Sequence, residues 1–417
     1  MKLQKILSRL QKLHPKEIDL SLDRVRILCK KLGNPQEKLK CISIVGTNGK
    51  YSTIQAIRAI LKEANINVNI YTSPHIQKIN ERFIYNDKEI SDDNLAKLLS
   101  EVEEINAGEP ITYFEILTAA YFYFAKNSDN INLIESGLFH RFDATNIIKE
   151  NLASIVTAIG FDHLDWLPEN EQTIEKIVFE KTSSLLNSKI IISNQNSSEV
   201  INIIKNNISN NSSKKIIYNE DFSCSENENG FIYYEDKIGG IKLPKPNILG
   251  QFQIDNIAAA IATLRNLDFK IQEDHIKKGI TKIKSVARLQ EIKSGKLKDL
   301  CKNNKIFIDG SHNPLGAKVL NKYLDNFNCN KHIILGMMAN KDHQKYMGYF
   351  KNISSLTTVD IPNQTNAIKG IELKNKFPNA HFRDSIEEAI NKLNLQENDI
   401  VLITGSLYLA GEVLNLN

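Results

Sequence analysis

Ile42-Ser43-Ile44-Val45-Gly46-Thr47-Asn48-Gly49-Lys50-Tyr51-Ser52 is the stretch that decides how the rest of this chain is read. Its first four residues suit a buried strand, which runs into a turn containing two glycines. Beyond the turn Ile54, Ile57, Ile60, Leu61 and Ala64 recur at helical spacing. Strand, Gly-containing loop and helix in that order are the setting of a phosphate-binding loop. Backbone N–H groups of the loop and of the first helical turn point at an anion, and a lysine such as Lys50 adds positive charge. Gly46, Thr47, Asn48, Gly49, Lys50 and Ser52 are therefore the candidate phosphate-side residues, with Ser52 placed to hold a magnesium ion. The spacing, Gly-x-x-Gly-Lys-x-Ser, departs from the common phosphate-loop form, and a Gly-Lys pair also occurs in ordinary β–α turns.

Working outward, short apolar runs alternate with helical patterns. Residues 68–71, 131–134, 153–159 and 189–192 read as buried strands, and 112–125 and 174–186 as helices. That alternation predicts an α/β fold: a mostly parallel sheet with helices on both faces, carrying the phosphate loop. The rhythm changes at about 194–250. Asn-, Ser- and Lys-rich turns there separate short strand candidates at 231–235 and 240–243, which predicts a β-rich insertion. Helices resume at 255–267 and 273–283. A second βα series follows, with strands at 306–308, 333–335 and 400–403 and a helix from Pro314 to about Phe327. The chain thus reads as a P-loop-containing domain over residues 1–285 and a second, smaller α/β domain over 286–417.

A length of 417 residues suits two or three domains at ~100–200 residues each. A net charge of +4, with both signs interspersed, is too weak a bias to point to nucleic acid or a membrane surface. Cys29, Cys41, Cys224, Cys301 and Cys329 lie far apart, with no Cys-x-x-Cys pair. A disulfide framework or zinc site is not expected, and a reducing cytoplasm fits. No apolar run reaches the ~18 residues of a membrane span, and the polar start lacks a signal-peptide core.

Gly46-Thr47-Asn48-Gly49-Lys50 after a strand resembles the Mur ligase superfamily. Within it the chain is similar to the folylpolyglutamate synthase and dihydrofolate synthase family. Further segments carry the resemblance in order: Leu32-Gly33-Asn34-Pro35-Gln36, Thr72-Ser73-Pro74-His75, Asn80-Glu81-Arg82, Tyr113-Phe114-Glu115, Asp143-Ala144-Thr145-Asn146 and Asp162-His163. Asp309-Gly310-Ser311-His312-Asn313-Pro314, Lys341-Asp342 and Thr404-Gly405-Ser406-Leu407-Tyr408 follow in the second half.

The resemblance implies an ATP-dependent, amide-forming ligase. ATP phosphorylates the carboxylate of dihydropteroate or a folate, and the amine of L-glutamate attacks the acyl phosphate. Such chemistry brings two anions together, so it needs magnesium and cationic side chains. By the same resemblance Ser73, Glu135, His163 and Lys181 match metal-site positions, and Lys181 matches a lysine that is carbamylated in the family. Lys50, His163 and Lys181 are the catalytic candidates. Asn256, Arg288, Asp309 and His312 match the ATP side, and Tyr113, Phe114 and Arg141 the pterin–benzoate side. ATP, magnesium and small-molecule substrates are the implied ligands, and a monomer the implied state.

Each position also has a plain reading. Glu135 can be a strand-end carboxylate, Ser73 a turn residue before Pro74, and Lys181 an exposed helix lysine. Arg288 and Asp309 can be salt-bridge residues, and Tyr113 and Phe114 can be core. Three departures from the family pattern stand near the site. Tyr51 replaces a glycine after the loop lysine, which strains the chain if that position needs φ > 0. Phe139-His140 replaces two glycines before Arg141. Val286-Ala287-Arg288 replaces Pro-Gly-Arg. Two alternatives follow: a catalytically altered paralogue that binds nucleotide, and a Mur-type ligase with another carboxylate acceptor. The short region before the loop argues against the latter.

Overall fold

Ile42, Ile44 and Val45 are completely buried, because the strand that holds them is covered on both faces. This is why it reads as an unbroken apolar run rather than as an alternation. Each such side chain contributes roughly 1.5–3 kcal/mol of burial free energy. The computed structural model describes residues 2–16, 19–195 and 197–417. The chain divides into two compact units.

The first unit contains Met1–Ile159, Pro168–Lys245 and Asp255–Ile283. Its main sheet has eight strands: β1 (Lys40–Val45), β2 (Val68–Tyr71), β3 (Phe83–Tyr85), β4 (Lys88–Glu89), β5 (Ile131–Glu135), β6 (Ala153–Val156), β7 (Lys189–Ile192) and β8 (Lys215–Ile217). Their order is β4-β3-β2-β5-β1-β6-β7-β8. From β2 to β8 the neighbours are parallel. The β3–β4 hairpin adds an antiparallel edge. β1 is therefore central, and its register places Ile44 opposite Glu135. The ends of β1, β2, β5 and β6 emerge on one edge of the sheet, where ligands of open α/β sheets bind.

The helix Lys50–Glu63 begins at Gly49, whose φ of 94° ends the loop in a left-handed turn. Its apolar positions Ile54, Ile57, Ile60 and Leu61 are buried. The helix Tyr113–Ala125 opens with a capping box: Thr112 accepts from the Glu115 N–H, and Glu115 accepts from the Thr112 N–H. The expected β-rich stretch holds an antiparallel sheet of β9 (Phe222–Glu226), β10 (Ile232–Asp236) and β11 (Gly239–Leu243). The helix expected over 174–186 ends earlier, at Thr182. Asn211 Nδ2 binds the Leu185 and Leu186 carbonyls, which lie beyond the helix.

The second unit contains Gly160–Leu167, Pro246–Ile254 and Lys284–Asn417. The single cut expected near residue 285 thus misses two earlier segments that pack with the second unit. Leu249 and Phe252, for example, pack on its core. Its six-stranded sheet is β12 (Gln290–Ile292), β13 (Lys305–Asp309), β14 (Lys331–Leu335), β15 (Ser355–Val359), β16 (Ala380–Arg383) and β17 (Ile400–Thr404). The order is β12-β13-β17-β14-β15-β16. β12 is antiparallel to β13, and the other neighbours are parallel. The five cysteines are free thiols. Among the described residues no helix is long and apolar enough to cross a membrane.

Candidate active site

The phosphate loop is held down by its own sheet. The N–H groups of Thr47 and Asn48 both donate to the Ala158 carbonyl, at 2.9 and 3.1 Å. Gly46, at φ 143°, lies so close to Thr157 that a Cβ would stand 2.1 Å from Thr157 Oγ1. Gly49 faces Asn256, and a Cβ there would stand 2.3 Å from Asn256 Oδ1. Both glycines are required by close approach as well as by positive φ. Asn256 is buried against the loop, so the helix Gln251–Arg265 brings it to the nucleotide-side candidates. Tyr51 lies inside the helix that begins at Lys50, where its φ is negative. The strain that a left-handed tyrosine would carry is therefore absent. Ser52 is buried in the same first turn.

Lys50 curls back over the loop. Its Nζ donates to the Gly46 and Thr47 carbonyls, each at 3.1 Å, and stands 3.9 Å from Glu135 Oε1. Lys181 comes from the helix Ile174–Thr182 and is 2% exposed, which sets aside the reading of an exposed helix lysine. Its Nζ donates to the Gly46 carbonyl at 3.2 Å and to the Leu138 carbonyl at 2.9 Å. The two lysines thus share one loop carbonyl.

Glu135 ends β5 and is 5% exposed. Its Oε2 accepts from the Ser73 N–H at 3.3 Å. The Ser73–Pro74 peptide is cis, and Ser73 Oγ is a buried oxygen with no hydrogen-bond partner. Magnesium takes hard oxygen ligands, commonly one or two carboxylates plus waters and substrate phosphates. An orphaned hydroxyl oxygen beside a carboxylate fits such an ion. Among the described residues no group of three or more His, Cys, Asp or Glu side chains stands together as a metal cage.

The aromatic pair meets a cation that carried no assigned role in the sequence. Arg82 is 8% exposed and has no acidic partner among the described residues; its Nε donates to His75 Nδ1 at 3.1 Å. Burial pushes the His75 imidazole down to about 4, and Arg82 adds to the shift. Burial also raises the Tyr113 hydroxyl, and the charge of Arg82 partly offsets the shift. Phe114 stacks on Tyr71 at 6.1 Å and sits where a Gly137 Cβ would meet its ring at 2.9 Å. A buried guanidinium without a carboxylate is costly unless an anion joins it. Only the spacing of Asn80-Glu81-Arg82 hinted at it.

Arg141, expected on the substrate side, forks onto Glu180 at 2.8 and 2.6 Å. Its guanidinium lies 4.3 Å from the Phe142 ring and 5.3 Å from that of Phe179. Phe139 and His140 both turn inward, at 1% and 4% exposure. The residues that replace the two family glycines thus fill the interior beneath the turn.

The remaining candidates belong to the second unit. Four of its residues converge on Asp162. Lys341 Nζ reaches Oδ1 at 2.6 Å, while Asn313 Nδ2 and His312 Nε2 reach Oδ2 at 2.9 and 3.4 Å. His163 Nε2 stands 3.9 Å from Oδ2, and the His163 N–H donates to Oδ1 at 2.9 Å. Burial disfavours the ionised form, yet His163, His312 and Lys341 hold this carboxyl well below the usual range. His163 has φ 59° and lies with these residues in the second unit. Asn313 also caps the helix Pro314–Leu324, accepting from the Gly316 N–H at 2.9 Å.

Asp309 ends β13 and accepts from the Leu289 and Ser311 N–H groups at 2.6 and 2.8 Å. Burial raises its carboxyl, and Arg288 opposes the shift. Around Arg288 the chain is left-handed at Ala287 (φ 53°) and at Leu289 (φ 50°). Ala287 stands where the family has glycine and adopts a backbone that glycine takes at no steric cost.

The Mur ligase middle domain matches residues 44–264, and the Mur ligase glutamate ligase domain matches residues 289–407. The first match alone covers more than half of the sequence, and the chain belongs to the Mur ligase family. Its relatives include the dihydrofolate synthase/folylpolyglutamate synthase of Bacillus subtilis, 27% identical over 94% of this chain and 94% of that protein. The protein of the same name from Haemophilus influenzae is 28% identical over 97% and 95%. Folylpolyglutamate synthase from Lacticaseibacillus casei is 28% identical over 94% and 92%. Among solved structures, Escherichia coli FolC in complex with DHPP and ADP has a TM-score of 0.87 and 25% identity, covering 99% of this chain and 97% of that one.

Proposed function

We propose that this chain is an ATP-dependent ligase that joins L-glutamate to dihydropteroate, to a folate, or to both. The observation that carries the reading is the convergence of Lys50, Lys181, Glu135 and the unpartnered Ser73 oxygen at the phosphate loop. Relatives that share nearly the full length of this chain are dihydrofolate and folylpolyglutamate synthases, which supports the acceptor class.

The chemistry proceeds in two balanced steps. A carboxylate oxygen of the acceptor attacks the γ-phosphorus, the β–γ bridging bond breaks, and ADP leaves. The glutamate amine then attacks the acyl carbon, phosphate leaves with the C–O bond electrons, and the amine loses a proton. Lys50 lies along the loop carbonyls, so its ammonium sits beside the phosphate that forms and neutralises charge as it develops. Arg82, buried with no acidic partner among the described residues, binds the acceptor's carboxylate. Tyr113 and Phe114 offer their rings to the pterin–benzoate body. Ser73 and Glu135 would hold a magnesium ion, which supplies charge neutralisation on the phosphate oxygens when bound. Lys181 and His163 keep the metal-side roles that the resemblance implies. Asn256, Arg288, Asp309 and His312 keep the nucleotide-side ones.

The test is ADP release by purified protein over a panel of pterin, folate and amino-acid pairs, with product masses. Release that requires dihydropteroate or a folate together with glutamate, and a product heavier by one glutamyl residue, is the expected result. ATP turnover with neither acceptor removes the reading. We further propose a monomer working in the cytoplasm, which size-exclusion chromatography and fractionation check.

A further inference from the structure

Three segments of the second unit meet at one phenol. Tyr346, on the helix His343–Met347, is completely buried. Its ring lies edge to face with Phe350, the centroids 5.5 Å apart. Its hydroxyl pairs with Ser311 Oγ at 3.0 Å and with Thr404 Oγ1 at 2.7 Å. Burial raises the hydroxyl well above the usual phenol range, so it stays protonated and donates one bond while accepting the other. Ser311 belongs to the turn after β13, and Thr404 ends β17, the parallel neighbour of β13. The Gly405 N–H adds a bond to the Ser311 carbonyl at 3.1 Å. The helix that carries Tyr346 is capped by Asp342, whose carboxylate accepts from the Lys345 N–H at 2.9 Å. Asp342 directly follows Lys341, the partner of Asp162.

The turn that this phenol holds carries Asp309, His312 and Asn313. Burial raises the Asp309 carboxyl, and Arg288, then the N–H and hydroxyl of Ser311, oppose the shift. A Cβ on Gly316 would stand 2.5 Å from the Ser311 Cβ, so the serine is also pressed against the first turn of the helix Pro314–Leu324. Ser311 thus touches Asp309 on one side and the phenol on the other. We propose that Tyr346 is a positioning residue for the nucleotide: its hydroxyl bridges Ser311 to Thr404 and so sets where the Asp309 carboxylate and the His312 ring stand. The proposal rests on the nucleotide-side reading of Asp309 and His312. A packing role asks only for the ring; the positioning role asks for the oxygen.

Tyr346→Phe removes the oxygen and keeps the ring. The full chain is titrated with ADP and magnesium by calorimetry as wild type, Tyr346→Phe, Ser311→Ala and the double variant, and circular dichroism records folding. Losing one net hydrogen bond costs a factor of roughly three to ten. The Kd for ADP is therefore expected to rise about three- to tenfold in each single variant and no further in the double one, since both substitutions break the same bridge. In the glutamate-ligation assay KM for ATP rises by that factor in Tyr346→Phe, while KM for the pterin acceptor stays within about twofold of wild type. A folded Tyr346→Phe protein with wild-type ADP affinity overturns the proposal, even where its thermal midpoint falls. So does a double variant whose loss is the product of the two single losses. Wild type that binds ADP but ligates no glutamate overturns the functional reading alone. Wild type that binds no ADP removes the nucleotide-side reading and the proposal with it.

Discussion

At Lys50 one ammonium meets two loop carbonyls and lies 3.9 Å from the Glu135 carboxylate. Lys50→Ala removes the charge from the phosphate side, and kcat for ADP release is expected to fall by about 10²–10³ or more. Near-normal turnover shows the role to be misplaced. At Arg82, substitution by Met keeps much of the stem and removes the charge. KM for the pterin acceptor should rise at least about tenfold while KM for ATP stays put, as expected when a charge-assisted contact of ~1.5–3 kcal/mol is lost. At His140, burial and then the nearby Lys181 push the imidazole from 6.5 down to about 4. Between those values the unfolded chain binds a proton that the native one does not, so stability falls as pH drops below 6.5. The contribution is intact above 6.5 and lost by about pH 4. The loss at pH 5 is about 2 kcal/mol. Urea unfolding at about pH 7 and pH 5 should show this loss shrink in His140→Gln; an unchanged pH dependence would show that His140 is not its source.

At the scale of single elements, helix ends do most of the placing. Gly49 starts one helix and leaves Lys50 at its first position. Asn313 starts another while its amide reaches Asp162. Thr112 and Glu115 cap a third, which puts Tyr113 and Phe114 at its opening. Thr112→Ala should cost about 1 kcal/mol of stability and loosen those two rings. Chemical denaturation reads the first effect, and a raised KM for the pterin acceptor reads the second; an unchanged midpoint counts against the cap. The strands β1, β2, β5, β6, β7, β13, β14 and β17 were legible as apolar runs, because burial on both faces leaves no other choice of residue. The short strands β3, β4, β12 and β16 were not. Each has only two to four residues, too brief for a period to show.

For the whole molecule, the division into units follows contacts rather than chain order. Gly160–Leu167 and Pro246–Ile254 belong with the second unit. The first supplies Asp162, which binds Lys341 and Asn313, and the second supplies Leu249 and Phe252 to the core. A fragment of residues 286–417 lacks both. It should fail to give the cooperative thermal transition of a folded domain, and its amide proton spectrum should be poorly dispersed. A sharp transition would show that the two segments are dispensable.

Motifs in order along the chain determined the family, the phosphate loop and the series of strands and helices, because those depend on neighbours within a few residues. Tertiary structure alone decided that Arg82 is a buried cation with no acidic partner among the described residues, that Tyr51 is helical, and that Phe139 and His140 point inward. It alone also brought His163, His312 and Lys341 together on Asp162. Burial and ion pairing are sums over residues distant in the chain, and no local pattern contains them.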